Sequence, residues 1–216
     1  MMNYLQLINH VLRRLREEEV SSVYENRQSS VVADFLNDSK RLVEDSFDWH
    51  PLRKDIPFST VATFNNYSLP GSQNRAKILD VRDTTNNAWL RRVSSEYIRR
   101  HELIANVGVT RPTYYASEGN DDNGDNIIKL WPTPDGAYIL RAYVVQRTPD
   151  LVAEGDRILV PSQPIIMMAY AMSAEERGDV KGEALESLYG RAKRSLGDAI
   201  MHDAGKAPEE MQWYPE

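Results

Sequence analysis

The chain has 216 residues and no cysteine, which excludes disulfide staples and thiolate chemistry and fits synthesis in a reducing cytoplasm. It also lacks long apolar runs: nothing approaches the roughly 18 uninterrupted apolar residues that a membrane helix needs. The opening MMNYLQLINHVLRRLREEE alternates apolar and polar positions at helical spacing, unlike the continuous apolar core of a signal peptide. Neither membrane insertion nor secretion is indicated. Histidine is scarce, and the four present (His10, His50, His101 and His202) lie far apart with no H-E-x-x-H pair, so a zinc site would have to be assembled from distant segments. The phosphate-cradling G-x-x-x-x-G-K-[ST], the dinucleotide fingerprint G-x-G-x-x-G and the nucleophile elbow G-x-S-x-G are all absent. The expectation is a non-enzymatic protein with no catalytic residue, no cofactor and no metal.

An excess of basic charge is missing as well. The 26 Lys and Arg face 32 Asp and Glu, a net charge of -6. The deficit sits at the two ends, with 6 basic against 9 acidic residues over 1–50, 13 against 11 over 51–150, and 7 against 12 over 151–216. A dedicated nucleic-acid binder needs a strongly basic surface, which this balance opposes. A surface past which DNA slides is compatible with it.

Helical periodicity opens the chain. Over 3–16, Leu5, Ile8, Leu12 and Leu15 recur at spacings of three and four, widened by Leu7 and Val11. Over 31–47, Val32, Phe35, Leu36, Leu42, Val43 and Phe47 repeat the pattern, with Ser29 or Ser30 as the expected N-cap. The run RRLREEE predicts i, i+4 pairs from Arg13 to Glu17 and from Arg14 to Glu18 on a surface helix.

From about 56 to 148 short apolar runs are punctuated by Pro51, Pro57, Asn65-Asn66, Pro70-Gly71, Asn86-Asn87 and Arg111-Pro112, the rhythm of an all-β module. SSEYIRRHELIA, beginning at Ser94, predicts a short helical insert. Ile127–Trp131 and Tyr138–Val145 read as strands. The PTPDG between them, with Pro134, Asp135 and Gly136 suited to turn positions, predicts a β-hairpin. Trp131, an aromatic in a strand, is expected in the core.

Beyond TPDLVAEGDRILVPSQP the helical period returns, with Ile165, Ile166, Met168, Ala169 and Met172 on a helix that stops near Gly178. A second helix carries Leu185, Leu188, Tyr189, Ala192, Leu196, Ala199 and Ile200. The fold class expected is α+β: a helical bundle from the N- and C-terminal helices with an inserted, mainly antiparallel β-module and an extended C-terminal tail. The boundaries are 1–50 for the first helices, 51–150 for the β-domain, 151–204 for the closing helices and 205–216 for the tail.

Other charged features read as structural. EGNDDNGDN, from Glu118 to Asn126, would fail an EF-hand at both anchoring positions and suits a tight exposed turn. Arg91-Arg92 and Arg99-Arg100, interleaved with Glu96 and Glu102, suit a solvated face or intersubunit ion pairs better than phosphate contacts. In the tail, Met211, Trp213 and Tyr214 either fold back on the domain or insert into a partner.

LINHVLRRL, VADFLNDSKRLVEDSFDWHPLRKD, YSLP, RPTYYA, IKLWPTPDGAYILRAYVVQRTPDL and LVPSQPIIMMAYAMSAEERGD, in this order along nearly the whole chain, resemble the head-to-tail adaptor family of tailed bacteriophages, including the tail tubular protein A type of short-tailed phages. WPTPDG and the later PDL are the most distinctive part. The resemblance implies a structural virion protein, made in the host cytoplasm and placed at the portal vertex of the capsid. It would form a ring, dodecameric as a rule, between the portal protein and the tail nozzle protein, and extend the channel for DNA ejection. Double-stranded DNA would pass through the lumen without specific binding, and tail fibres are further candidate partners. On this likeness Met211, Trp213 and Tyr214 become a portal anchor, and Pro132, Pro134, Asp135 and Gly136 a nozzle-facing or sheet-bracing hairpin of the β-domain. The alternative function is a tail-associated enzyme that degrades the cell wall. A small DNA-binding regulator is disfavoured by the acidic composition.

Overall fold

The computed structural model describes residues 2–72, 76–104 and 108–206. Along the chain the elements are α1 (Tyr4–Arg14), α2 (Arg27–Ser46), β1 (Arg53–Ser59), β2 (Asn66–Ser68), β3 (Lys77–Asp83), β4 (Ala88–Arg92), α3 (Ser95–Ile104), β5 (Tyr114–Asn120), β6 (Asn126–Trp131), β7 (Ile139–Val145), α4 (Ser162–Glu176) and α5 (Glu183–Ala204). The class is α+β, with a curled seven-stranded sheet. The chain divides into two compact units, one joining everything up to Leu52 with everything from Thr148 onward, the other running from Arg53 to Arg147.

In the helical unit, α1 starts because the Asn3 side chain accepts the Gln6 amide at 2.8 Å while the Gln6 side chain accepts the Asn3 amide at 3.0 Å, a reciprocal capping box. It buries Tyr4, Leu7, Ile8, Val11 and Leu12 and stops at Arg14, with Arg16 at a φ of 60°. The chain therefore leaves the helix before the acidic run arrives, and the expected Arg13–Glu17 and Arg14–Glu18 pairs do not form. Arg13 meets Glu19 at 3.3 Å instead, and Glu17 takes Arg177 at 2.7 Å.

The N-cap of α2 is Asn26 rather than Ser29 or Ser30. Its carboxamide accepts the Ser29 amide at 2.7 Å, and the Ser29 hydroxyl accepts the Asn26 amide at 3.2 Å, so the serine is the far partner of the box. The helix turns Val32, Ala33, Leu36 and Val43 inward together with Lys40 and Glu44. That choice of face leaves Leu42, expected in the apolar stripe, 51% exposed.

α4 is apolar around its circumference: Ile165, Ile166, Ala169, Ala171 and Ala174 are buried and Met167, Met168, Tyr170 and Met172 half-buried. It can be so because α1 and α2 pack on it and α5 also covers it. α5 presents Leu185, Leu188, Ala192, Leu196 and Ile200 on one stripe. The Tyr189 hydroxyl donates to Glu175 of α4; burial first, and then that bond, push its pKa up to about 12.

In the β-unit the strand order is β1-β7-β3-β4-β5-β6-β2. Every pair is antiparallel except β4 with β5, which are parallel and joined through α3. The Ser94 hydroxyl starts α3 by accepting the Tyr97 amide at 3.1 Å. Alternating residues point into one core: Leu69, Val81, Tyr115, Ile128, Leu130, Leu140, Ala142 and Val144. Each fully buried Leu or Ile contributes about 1.5–3 kcal/mol. The sheet curls far enough that Phe58 on one edge strand reaches Tyr67 on the other, with ring centroids 5.7 Å apart.

Two expectations are corrected here. β6 and β7 are strands but do not form a hairpin: β6 pairs with β5 and β2, and β7 with β1 and β3. The PTPDG connection carries two prolines that donate nothing to a ladder, and its carbonyls serve other loops, so it spans the curl instead of folding the strands together. Trp131 is half-buried on the outer face of the sheet, outside the main core. It packs under α3, 5.3 Å from His101 and 5.8 Å from Tyr114, while Tyr97 lies 4.0 Å from His101. Its position follows the alternation of β6, in which Ile128 and Leu130 take the inward places.

Candidate interaction surface

Arg53 pairs with Val145, so the chain enters and leaves the β-unit at one end of the sheet. The loops at the opposite end are gathered around the β6–β7 connection. Pro132, following a cis peptide from Trp131, and Pro134 are buried, Gly136 is half-buried and Asp135 exposed.

Three other loops are bonded to this segment. Thr60 is buried; its amide donates to the Tyr138 carbonyl at 2.9 Å, its hydroxyl donates to the Gly136 carbonyl at 2.8 Å and accepts the Tyr138 amide at 2.8 Å. The Thr63 amide donates to the Pro134 carbonyl at 2.8 Å, and the Thr110 amide to the Thr133 carbonyl at 2.9 Å. Thr84 donates its amide to Ile139 at 2.9 Å, and the Ile139 amide donates to the Thr85 hydroxyl at 2.9 Å. The Tyr138 hydroxyl donates to Asp135 at 2.6 Å, a bond that raises the tyrosine's pKa because the carboxylate disfavours a phenolate beside it. Asp83, fully buried, accepts the amide and carboxamide of Asn86 and lies 3.2 Å from Arg111.

Pro132, Pro134 and Gly136 are thus brought together as the hub of a braced loop end rather than as a hairpin tip. On this braced end Val61, Phe64, Val109 and Ile139 are each more than half exposed. Apolar groups held out on a stiff frame suit recognition of another protein, since little conformational freedom remains to be lost on docking. The threonines of this end escaped sequence reading because Thr60 and Gly136 are 76 positions apart. A buried threonine before a loop of exposed apolar residues is the one local signal.

The PDL motif has a different explanation, in the helical unit. Lys40 and Glu44 have no exposed side-chain surface and lie 3.2 Å apart. Lys40 donates to the carbonyls of Thr148 at 2.9 Å and Pro149 at 2.8 Å, while Glu44 accepts the Thr148 amide at 3.1 Å and its hydroxyl. Arg41 holds Asp150, and the Asn37 carboxamide exchanges bonds with the Leu151 backbone at 2.8 and 3.0 Å. One face of α2 therefore reads Thr148 to Leu151 residue by residue. Lys40 and Glu44 lie on the buried face of α2 with Leu36 and Val43.

The acidic loop is the tight turn expected, with Asp121 accepting the Asn123 and Asp125 amides at 2.9 Å. Of the basic residues singled out, Arg99 pairs with Glu118 at 2.9 Å and Arg100 with Glu96 at 2.5 Å within the chain. Met211, Trp213 and Tyr214 lie outside the described residues. Among the described residues no group of three His, Cys, Asp or Glu side chains is placed to hold a metal ion.

No curated relative is similar enough to be matched with the chain. A family model described as SU10 adaptor protein matches residues 2–212, covering the braced loop end and the clamp on Thr148 to Leu151 alike, and the chain therefore belongs to this family of phage head-tail adaptors.

Proposed function

We propose that the protein is a structural virion component that forms a ring between the portal and the tail nozzle and extends the channel through which the genome leaves. Membership of the adaptor family over nearly the whole chain is the observation that carries this reading. In it, the helical unit meets the portal, the braced loop end around Pro132, Pro134, Asp135 and Gly136 meets the nozzle, and Met211, Trp213 and Tyr214 anchor the tail in the portal. The net charge of -6 supports the channel role, because a lumen without excess basic charge does not hold the DNA backbone and an acidic one repels it.

The test is the solution mass of the full chain, alone and with the portal encoded in the same genome, by light scattering. A defined ring on the portal is expected. Removal of residues 207–216, which spares Lys206 and its 3.0 Å bond to Asp203, is expected to abolish attachment and leave the fold intact. Undiminished attachment of that truncated chain would overturn the anchor, and failure of the full chain to bind the portal would overturn the adaptor ring.

A further inference from the structure

We propose that α2 and α5 are the two halves of one interface between copies, the outer face of α5 on one chain docking on the outer face of α2 on the next. The inference rests on the ring reading above and names the faces through which the ring closes.

Both helices pack on α4, and each turns a second face to solvent. The two outer faces differ in charge. On α5, Arg191, Lys193 and Arg194 are exposed within four residues, and none has an ion pair or hydrogen bond among the described residues. The acids of α5 lie to either side of this cluster, Glu183 and Glu186 in the first turn, where they favour the helix dipole, and Asp198 beyond it. On α2, Asp34, Asp38 and Asp45 are exposed around Leu42, with Arg41 the single exposed cation among them, already shared by Asp38 and Asp150.

The shape of α5 agrees with the charge. Gly190 and Gly197 lie on the side opposite the stripe that faces α4, and a Cβ at either would meet nothing within 4 Å. Glycine in a helix interior sacrifices stability relative to alanine, and nothing among the described residues uses the space. Met201, 75% exposed, continues the same strip. A shallow strip ending in a flexible apolar side chain, beside three exposed cations, accepts a helix that carries carboxylates around an exposed leucine. Because the two patches differ, a copy that offers its α5 to one neighbour keeps its α2 for another, the head-to-tail arrangement that builds a ring where the rotation between copies closes.

Charge reversal tests this with the full chain and the portal, scored as the mass of assembled ring by light scattering. Asp34→Lys with Asp38→Lys, or Arg191→Glu with Arg194→Glu, is expected to lower the assembled fraction about tenfold, and the chain carrying all four to return to within about twofold of wild type. Gly190→Leu with Gly197→Leu is expected to raise the melting temperature of the free chain while losing the ring, a combination that a role confined to the fold does not produce. Wild-type assembly by both single-face reversals, or no recovery in the fourfold variant, would overturn the assignment of faces while the ring stands. A wild-type chain that stays single in the presence of portal would overturn the ring and this inference together.

Discussion

The Nζ of Lys40 lies 3.2 Å from the Oε1 of Glu44, one turn further along α2, and neither side chain has any exposed surface. Removing one member of such a pair leaves a buried charge unmatched, at a cost of about 3–5 kcal/mol. Lys40→Met is therefore expected to lower the urea midpoint sharply and to free Thr148 to Leu151. Lys40→Met combined with Glu44→Leu is expected to cost less than Lys40→Met alone, because no lone charge remains. Equal losses in the two variants would show that the backbone bonds, and not the ion pair, dominate.

Asp203 gives a pH-dependent contribution whose sign is fixed. Burial pushes its carboxyl up, but the His50 amide at 2.9 Å, the Lys206 ammonium at 3.0 Å and the His50 ring at 3.1 Å outweigh it and hold the group at about 2 against the ordinary 3.8. A depressed folded-state pKa stabilises above the unfolded value and is lost as pH falls through the folded one. The melting-temperature gap between wild type and Asp203→Asn is expected to be full near neutral pH and to close between pH 3.8 and about 2. A gap unchanged across that window would refute the assignment.

Thr60→Val keeps shape and removes a hydroxyl that both donates to Gly136 and accepts from Tyr138. Two part-buried backbone groups lose a partner, at about 0.5–1.5 kcal/mol each. Thermal melting should report the loss, and limited proteolysis should show earlier cleavage in 132–138.

Trp131→Leu is expected to loosen α3 rather than the sheet, because Tyr114 and His101 lose their ring partner, at about 0.5–1.5 kcal/mol for each aromatic contact. Hydrogen exchange should quicken in α3 while β7 keeps its protection.

What the sequence made legible was local. The α3 insert followed from Ser94 and its spacing, the closing helices from their stripes, and the turn at Asp121 to Asp125 from its composition. The adaptor family was legible from quoted motifs and is the one the family model matches. Strand partnership was not legible: nothing near Trp131 or Ile139 states that β5 or β3, rather than each other, will pair with them. The helix face of α2 was misjudged at Leu42 for a related reason. Lys40 and Glu44 count as surface residues until the segment at Thr148 supplies their partners, more than a hundred positions away. The loop end around Pro132 to Gly136 was visible as a loop, and its bracing threonines were not.

The pairing of Arg53 with Val145 makes the β-unit a cassette. Its two ends lie side by side at a spacing near 5 Å, as in any antiparallel pair, so a recipient scaffold needs only two adjacent attachment points to carry it. Grafting Arg53 to Arg147 as one piece onto another member of the family is the exchange that this geometry makes simplest.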